Sequence, residues 1–324
     1  MVLNQILLKS QPANLPESDD NFTTEVLAGL SSSQKRLPCR FLYDDLGSRL
    51  FEEITKLPEY YPTRTEAAIL NAHAPEMVED IAQGDVLVEF GSGSSLKTEI
   101  LLEQLPQLGA YVSIDVSPGA LQEAAHRLSR RFLNLDVRPI VADFSYPVAL
   151  PDDLANRTKT GFFPGSTIGN LTPVEAQRLL RVFRAMLSPG GRLIVGVDLK
   201  KDMRTLVSAY ADSRGITAAF NLNLLARINR QLGANFDLQA FDHMALYNQV
   251  HGRIEMHLVS LIDQDVVIRG RRFHFGVGDS IHTENSYKYS VRQFRDMARA
   301  AGWLPRRIWT DRHTLFSVHE LVAV

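Results

Sequence analysis

Between residues 85 and 197 short apolar runs alternate with helical stretches, and this alternation constrains the fold more than any other feature of the chain. Residues 85–90, 111–114, 137–141, 160–163 and 193–197 are apolar runs of strand length. Between them the spacing predicts helices. One covers 97–105. Another opens at Ser117-Pro118, an N-cap and first-turn proline, and carries Leu121, Ala124, Ala125, Leu128 and Phe132 on one face. A third opens at the capping box Thr172-Pro173-Val174-Glu175, lines up Leu179, Leu180, Phe183 and Met186, and is broken by Pro189-Gly190-Gly191. Strands that alternate with helices are expected to pair in parallel through crossovers, so the pattern predicts a doubly wound α/β sheet.

The regions on either side read differently. Leu46, Leu50, Phe51, Ile54 and Leu57 predict a helix that stops at Pro58, and the stretch 58–62 is expected to be irregular. Thr63-Arg64-Thr65-Glu66 reads as a capping box opening the next helix. Residues 203–232 read mainly as helix. Residues 241–275 read as strands, with Ile254, Met256 and Leu258 alternating against Glu255 and His257. A helix over 290–301 and strands near 305–309 and 315–321 return to the earlier style. The expected architecture is a Rossmann-like sheet domain from residues 65–200 plus 289–324. A second, discontinuous α+β domain would come from 1–64 plus 201–288. A chain of 324 residues is long enough for two such cores.

Composition narrows the function classes. The formal net charge of -2 argues against a general nucleic-acid or membrane binder, because phosphate affinity needs a basic surplus. Arg127, Arg130 and Arg131 cluster on a predicted helix and read as a solvated face. Cys39, a single cysteine, has no internal disulfide partner and fits a reducing compartment. The first twenty residues are too briefly apolar for a membrane span and lack the order of a secretory signal; they are expected to form a peripheral or docked segment. A cytoplasmic monomer acting on a small molecule is the expectation. His251 and His257 lie six residues apart with no carboxylate or cysteine apparent to complete a metal site, so no metal is expected.

The chemistry-bearing residues begin at Gly91-Ser92-Gly93, between a strand and a helix, where backbone must pass close to a ligand. Asp115 ends the second strand, 22 residues beyond Gly93, placed to accept from ribose hydroxyls or, more blandly, to cap the following helix. With Asp115, the glycine turn alone would also allow a nicotinamide-dependent oxidoreductase, or a cofactor-binding protein without catalysis. Against a dinucleotide, the third glycine of that fingerprint is Leu96. Asp143-Phe144 follows the third strand, suited to an adenine amino group and ring. With Pro189-Gly190-Gly191, these features resemble the class I methyltransferases over most of residues 85–198. That resemblance implies S-adenosylmethionine over the strand ends, with Gly91 near its methionine part and Lys97 facing the methionine carboxylate unless it is merely a solvated lysine.

Longer strings carry a narrower resemblance. Phe41-Leu42-Tyr43-Asp44-Asp45, the run Leu57-Pro58-Glu59-Tyr60-Tyr61-Pro62-Thr63-Arg64-Thr65-Glu66, and Phe163-Pro164-Gly165-Ser166-Thr167-Ile168-Gly169-Asn170-Leu171 resemble signatures of the histidine Nα-methyltransferases of ergothioneine biosynthesis. The likeness runs from about Arg40 onward. It implies up to three methyl transfers to the α-amino group of L-histidine, giving hercynine. It also implies Tyr43 and Asn170 at the amine, Tyr210 at the carboxylate, Tyr60, Glu284 and Ser286 around the imidazole, and Met256 as an apolar wall. Glu284 and Ser286, two apart in an extended segment, would face the same way. Another amino-acid-like amine, such as a tryptophan derivative, is the alternative substrate.

Overall fold

The computed structural model describes residues 19–93, 95–187 and 190–324. The expectation for the first twenty residues lies almost wholly outside them, as does Pro189 of the Pro-Gly-Gly break. Seven strands form the main sheet: β2 (Val86–Phe90), β3 (Ala110–Asp115), β4 (Val137–Val141), β5 (Lys159–Phe163), β6 (Arg192–Asp198), β12 (Trp303–Thr310) and β13 (Phe316–Ala323). β1 (Lys35–Arg36) belongs elsewhere. Their order is β12-β13-β6-β5-β2-β3-β4. The five strands from β6 to β4 are parallel, as the alternation predicted. The last two depart from that expectation, because β13 runs antiparallel to β6 and β12 antiparallel to β13. A short connection between consecutive edge strands produces a hairpin, and a crossover helix is present only before β12.

The chain starts outward from β2 in one direction and from β5 in the other, so the strand order reverses between them. Ligands bind at such a switch point, beyond the carboxyl ends of the strands. The turn after β2 and the 3-10 turn Thr167–Asn170 after β5 both lie there.

A second sheet has the order β1-β11-β8-β7, built from β7 (Phe241–Asn248), β8 (Arg253–Ser260) and β11 (Ser280–Tyr287) with β1 parallel to β11 at its edge. β9 (Gln264–Ile268) and β10 (Arg271–Phe275) form a separate hairpin. Helices α1 (Asp19–Leu30), α2 (Asp45–Thr55), α7 (Met203–Ser208) and α8 (Ile216–Leu232) complete this half. The single helical stretch expected over 203–232 is interrupted. The first helix ends at Ser208, and Asp212 then turns its carboxylate onto the amides of Ile216 and Thr217 at the start of the next.

One apolar core gathers residues from Phe22 to Tyr61 with residues from Leu206 to Ile281, and two others cover the faces of the main sheet. α3 (Tyr61–Val78) joins them: Tyr61 lies in the first core and Ile69 in one of the sheet cores. A boundary at residues 64 and 65 thus falls inside a helix. α3 also corrects the reading of its own start. Tyr61 and Pro62 are helical, with proline in the first turn where it costs no hydrogen bond, so Thr63 is not an N-cap. No described helix is long and apolar enough to cross a membrane.

Candidate active site

On the donor side, β2 runs into a turn in which Gly91 has φ 69° and a Cβ there would sit 3.2 Å from the Phe144 ring. Phe144 packs edge-on against Phe163 and at a tilt against Phe183. The Gly93 amide donates to Asp115 Oδ2 at 2.9 Å, and the Ser117 amide donates to Oδ1 at 2.9 Å. Asp115 therefore closes the glycine turn and also restrains the start of α5 (Pro118–Arg131), so the capping alternative is true in part. Burial pushes the Asp115 carboxyl up, against the pull of these backbone donors. Asp143, beyond β4, accepts from the Ser145 amide at 2.8 Å.

These residues fit an adenosyl cofactor on the structure's own terms. The Ser92 hydroxyl is buried with no partner, and a Cβ on Gly93 would meet nothing within 4 Å. Two carboxylates stand at the ends of adjacent strands. Lys97, in α4 (Leu96–Leu102), is half-buried and paired: its ammonium donates to fully buried Glu66 at 2.5 Å. Glu66 also accepts from the Gly165 amide at 2.8 Å, tying α3 to both turns at the switch point. The Thr63–Glu66 spacing thus suggested a cap for a residue whose role is tertiary.

The substrate side is organised by a bulge. β11 pairs with β8 so that Ile281 faces Leu258, Glu284 faces Met256 and Ser286 faces Ile254, with the register shifting between His282 and Glu284. Without the extra residue, Ile281 and Glu284 would lie on opposite faces. With it, Glu284 and Ser286 join the buried face. The glycine at position 169 lets the 3-10 turn approach closely, since a Cβ there would lie 2.8 Å from the Tyr287 carbonyl oxygen. Asn170 is thereby brought beside Glu284, near enough to favour its charged form. Burial raises the Glu284 carboxyl to about 7, opposed by Lys288 and by the neighbouring Asn170 amide.

Phe51, Tyr60, Tyr210, Phe220, Met256 and Glu284 line a cavity of about 20 Å³, room for roughly one water molecule. A ligand larger than a water molecule enters only if these walls part. Tyr43 stands against two of them, with ring centroids 5.6 Å from Phe51 and 5.5 Å from Phe220. Burial raises the Tyr43, Tyr60 and Tyr210 phenols well above their usual range, so they keep their protons at neutral pH. The Tyr210 hydroxyl, expected at the substrate carboxylate, lies 2.7 Å from Ser286 Oγ.

Beneath this pocket is a charged cluster that the sequence reading missed. Asp198, fully buried at the end of β6, accepts from Tyr61 at 2.7 and 2.8 Å, Lys201 at 2.5 Å and Lys288 at 2.7 Å. Burial works against its charge, but the two ammonium groups outweigh it and hold the carboxyl below the usual range. Lys201 is drawn down to about 8, mainly by burial. Asp198's position at a strand end was the available signal; Lys201 lies three residues on, but Tyr61 and Lys288 come from sequence-distant elements.

Three other sequence readings can be placed. Arg127 and Arg131 pair with Glu99 on the neighbouring helix, so they face acids as well as solvent. Burial pushes the Cys39 thiol up to about 12, which leaves it unreactive at neutral pH. His257 does have a carboxylate beside it, contrary to expectation: Glu255, His257 and His282 bring ligand-type atoms within 4.8 Å on the sheet face away from the pocket. Arg253, Asn248 and His257 already engage that carboxylate, and the two imidazoles stack at 17° with centroids 4.8 Å apart. Near-parallel rings do not aim two in-plane lone pairs at one ion, and the trio reads as an ion-pair network.

A family model described as "Histidine-specific methyltransferase, SAM-dependent" matches residues 22–323. The histidine N-alpha-methyltransferase of Mycolicibacterium smegmatis is 39% identical over 292 residues, covering 89% of this chain and 90% of that protein. Its counterpart from Mycobacterium tuberculosis is 40% identical over 292 residues, with the same coverage of both chains. Ergothioneine biosynthesis protein 1 of Neurospora crassa is 29% identical over 301 residues, covering 90% of this chain and 34% of that longer protein. A likeness that spans the switch-point turn, the bulged strand and all three cores assigns this chain to the histidine-specific, S-adenosylmethionine-dependent methyltransferases.

Proposed function

We propose that this enzyme methylates the α-amino group of L-histidine, up to three times, to give hercynine for ergothioneine biosynthesis. The observation that carries the reading is the pairing of Glu284 and Ser286 on one buried face of β11, beside Asn170 and opposite Met256. A neutral imidazole has one N–H donor and one acceptor nitrogen, and a carboxylate next to a hydroxyl complements both. An apolar aromatic side chain would leave Glu284 buried without its partner, which is how such a site discriminates. Tyr60, Tyr210 and Met256 shape the same pocket.

S-adenosylmethionine supplies an electrophilic methyl carbon on a sulfonium. Gly91, Lys97, Asp115, Asp143 and Phe144 are the residues assigned to hold it. The chain's own contribution is to present an unprotonated amine in line, in a space with little water. Tyr43 and Asn170 are assigned to the amine. Because the Tyr43 phenol keeps its proton, it contributes a lone pair and orientation, not an anionic base. Burying the ammonium favours its neutral form. One chain holds both half-sites, so we assign activity to a monomer, working in the cytoplasm on a small-molecule substrate. The two-part division into 65–200 plus 289–324 and 1–64 plus 201–288 remains our working description, with α3 shared. The test is incubation with labelled S-adenosylmethionine and each of the twenty amino acids, followed by mass spectrometry. Successive methyl gains on histidine are expected; label on tryptophan and never on histidine would overturn the substrate.

A further inference from the structure

The cluster beneath the pocket has a consequence for how the imidazole is read. The Lys288 side chain is fully buried, and its three N–H groups are all committed: to Asp198 Oδ2 at 2.7 Å, Ser286 Oγ at 2.7 Å and the Tyr210 hydroxyl at 2.9 Å. Ser286 and Tyr210 are themselves 2.7 Å apart, so one of their two hydroxyl protons lies between them. The protons can then be counted. Both hydroxyl oxygens accept from Lys288 and one hydroxyl donates to the other, so one O–H and one lone pair of the pair remain for a ligand. If Tyr210 donates to Ser286, the serine oxygen has both lone pairs filled and can act only as a donor.

We propose that Lys288 is a positioning and specificity-determining residue, whose ammonium fills a lone pair on each hydroxyl and so biases the Ser286–Tyr210 pair toward donating a hydrogen bond beside the Glu284 acceptor. The inference rests on the histidine reading of the site and adds the reason for its polarity. A donor and an acceptor side by side match the unprotonated nitrogen and the N–H of a neutral imidazole. An imidazolium would set its second N–H against an O–H backed by a buried cation. Asp198 belongs to the same device, because without a carboxylate the buried ammonium could not be kept.

The test compares L-histidine with an analogue carrying C–H in place of the acceptor ring nitrogen, a pyrrolylalanine, by calorimetry with S-adenosylhomocysteine present. The wild type is expected to bind histidine about 10- to 100-fold more tightly, the range of a hydrogen bond backed by a charge. In Lys288→Met the loss is expected in KM for histidine and not in kcat, and the preference over the analogue shrinks below about threefold. The same substitution in a Ser286→Ala background is expected to add little, since the two act as one unit. A purely structural lysine would weaken histidine, analogue and donor alike and leave the preference intact, which overturns the proposal. If Lys288→Met does not fold, Lys288→Gln takes its place: a preference for histidine over the analogue kept at the wild-type value overturns the proposal, as does equal affinity for the two in the wild type, and a preference reduced below about threefold supports it. Failure of the wild type to methylate histidine is read separately, from product mass, and would remove the substrate reading and this inference together.

Discussion

Glu284 shows how one buried side chain sets a pH dependence. Its carboxyl is raised to about 7, so in the proposed role it would accept the ring N–H as an anion above that pH and lose the charge below it. Histidine affinity is therefore expected to fall as pH drops from 8 to 6. In Glu284→Gln, calorimetry at pH 8 is expected to show a loss of about 10- to 100-fold for histidine, with donor affinity largely kept and a flatter pH profile. Equal losses for both ligands would reject the assignment. Asp115→Ala is expected to act in the opposite sense, weakening S-adenosylhomocysteine by about tenfold or more through loss of a ribose acceptor and of the Gly93 contact. An unchanged affinity would leave Asp115 as a cap. His319 makes a stability prediction. Burial, helped by Arg295, depresses its pKa to about 3, well below the unfolded value. The folded state therefore resists protonation. Stability is fully present above about pH 6.5 and is lost as pH falls toward 3. In His319→Phe, denaturant titrations should show a shallower decline over that window. A decline as steep as the wild type's would assign acid sensitivity elsewhere.

The elements divide by the range of the interactions that define them. The parallel strands and the caps at Ser117 and Thr172 were legible because apolar runs and side-chain-to-amide bonds are local. The same locality misled at Thr63-Arg64-Thr65-Glu66, where a cap-like spacing belongs to a glutamate buried against Lys97 and Gly165. The bulge between His282 and Glu284 was not legible, because it exists only relative to β8. Glu284 and Ser286 were singled out through resemblance, whereas Lys288, with no motif around it, was missed. At this scale the contact between the 3-10 turn and β11 is the sensitive point. Gly169→Ala is expected to push Asn170 away from Glu284, lowering kcat/KM for histidine by an order of magnitude or more while donor binding persists. A variant with wild-type kcat/KM would show that this contact does not position Asn170.

Across the whole molecule, α3 begins in the core beneath the pocket and ends against the main sheet, while Lys201 and Lys288 reach Asp198 near the two returns of the chain. The donor half and the acceptor half therefore share helix, charge cluster and apolar contact. Calorimetric unfolding is expected to show one cooperative transition, raised by about 2.7 kcal/mol in stability when S-adenosylhomocysteine is present at a hundred times its dissociation constant. Two separated transitions would show that the halves fold independently. The helix that both halves share also limits how such a protein can diversify. Neither portion can be cut out and recombined with a foreign counterpart without severing α3, so new amine acceptors must arise by replacing pocket side chains in place, one at a time, on a frame that stays whole.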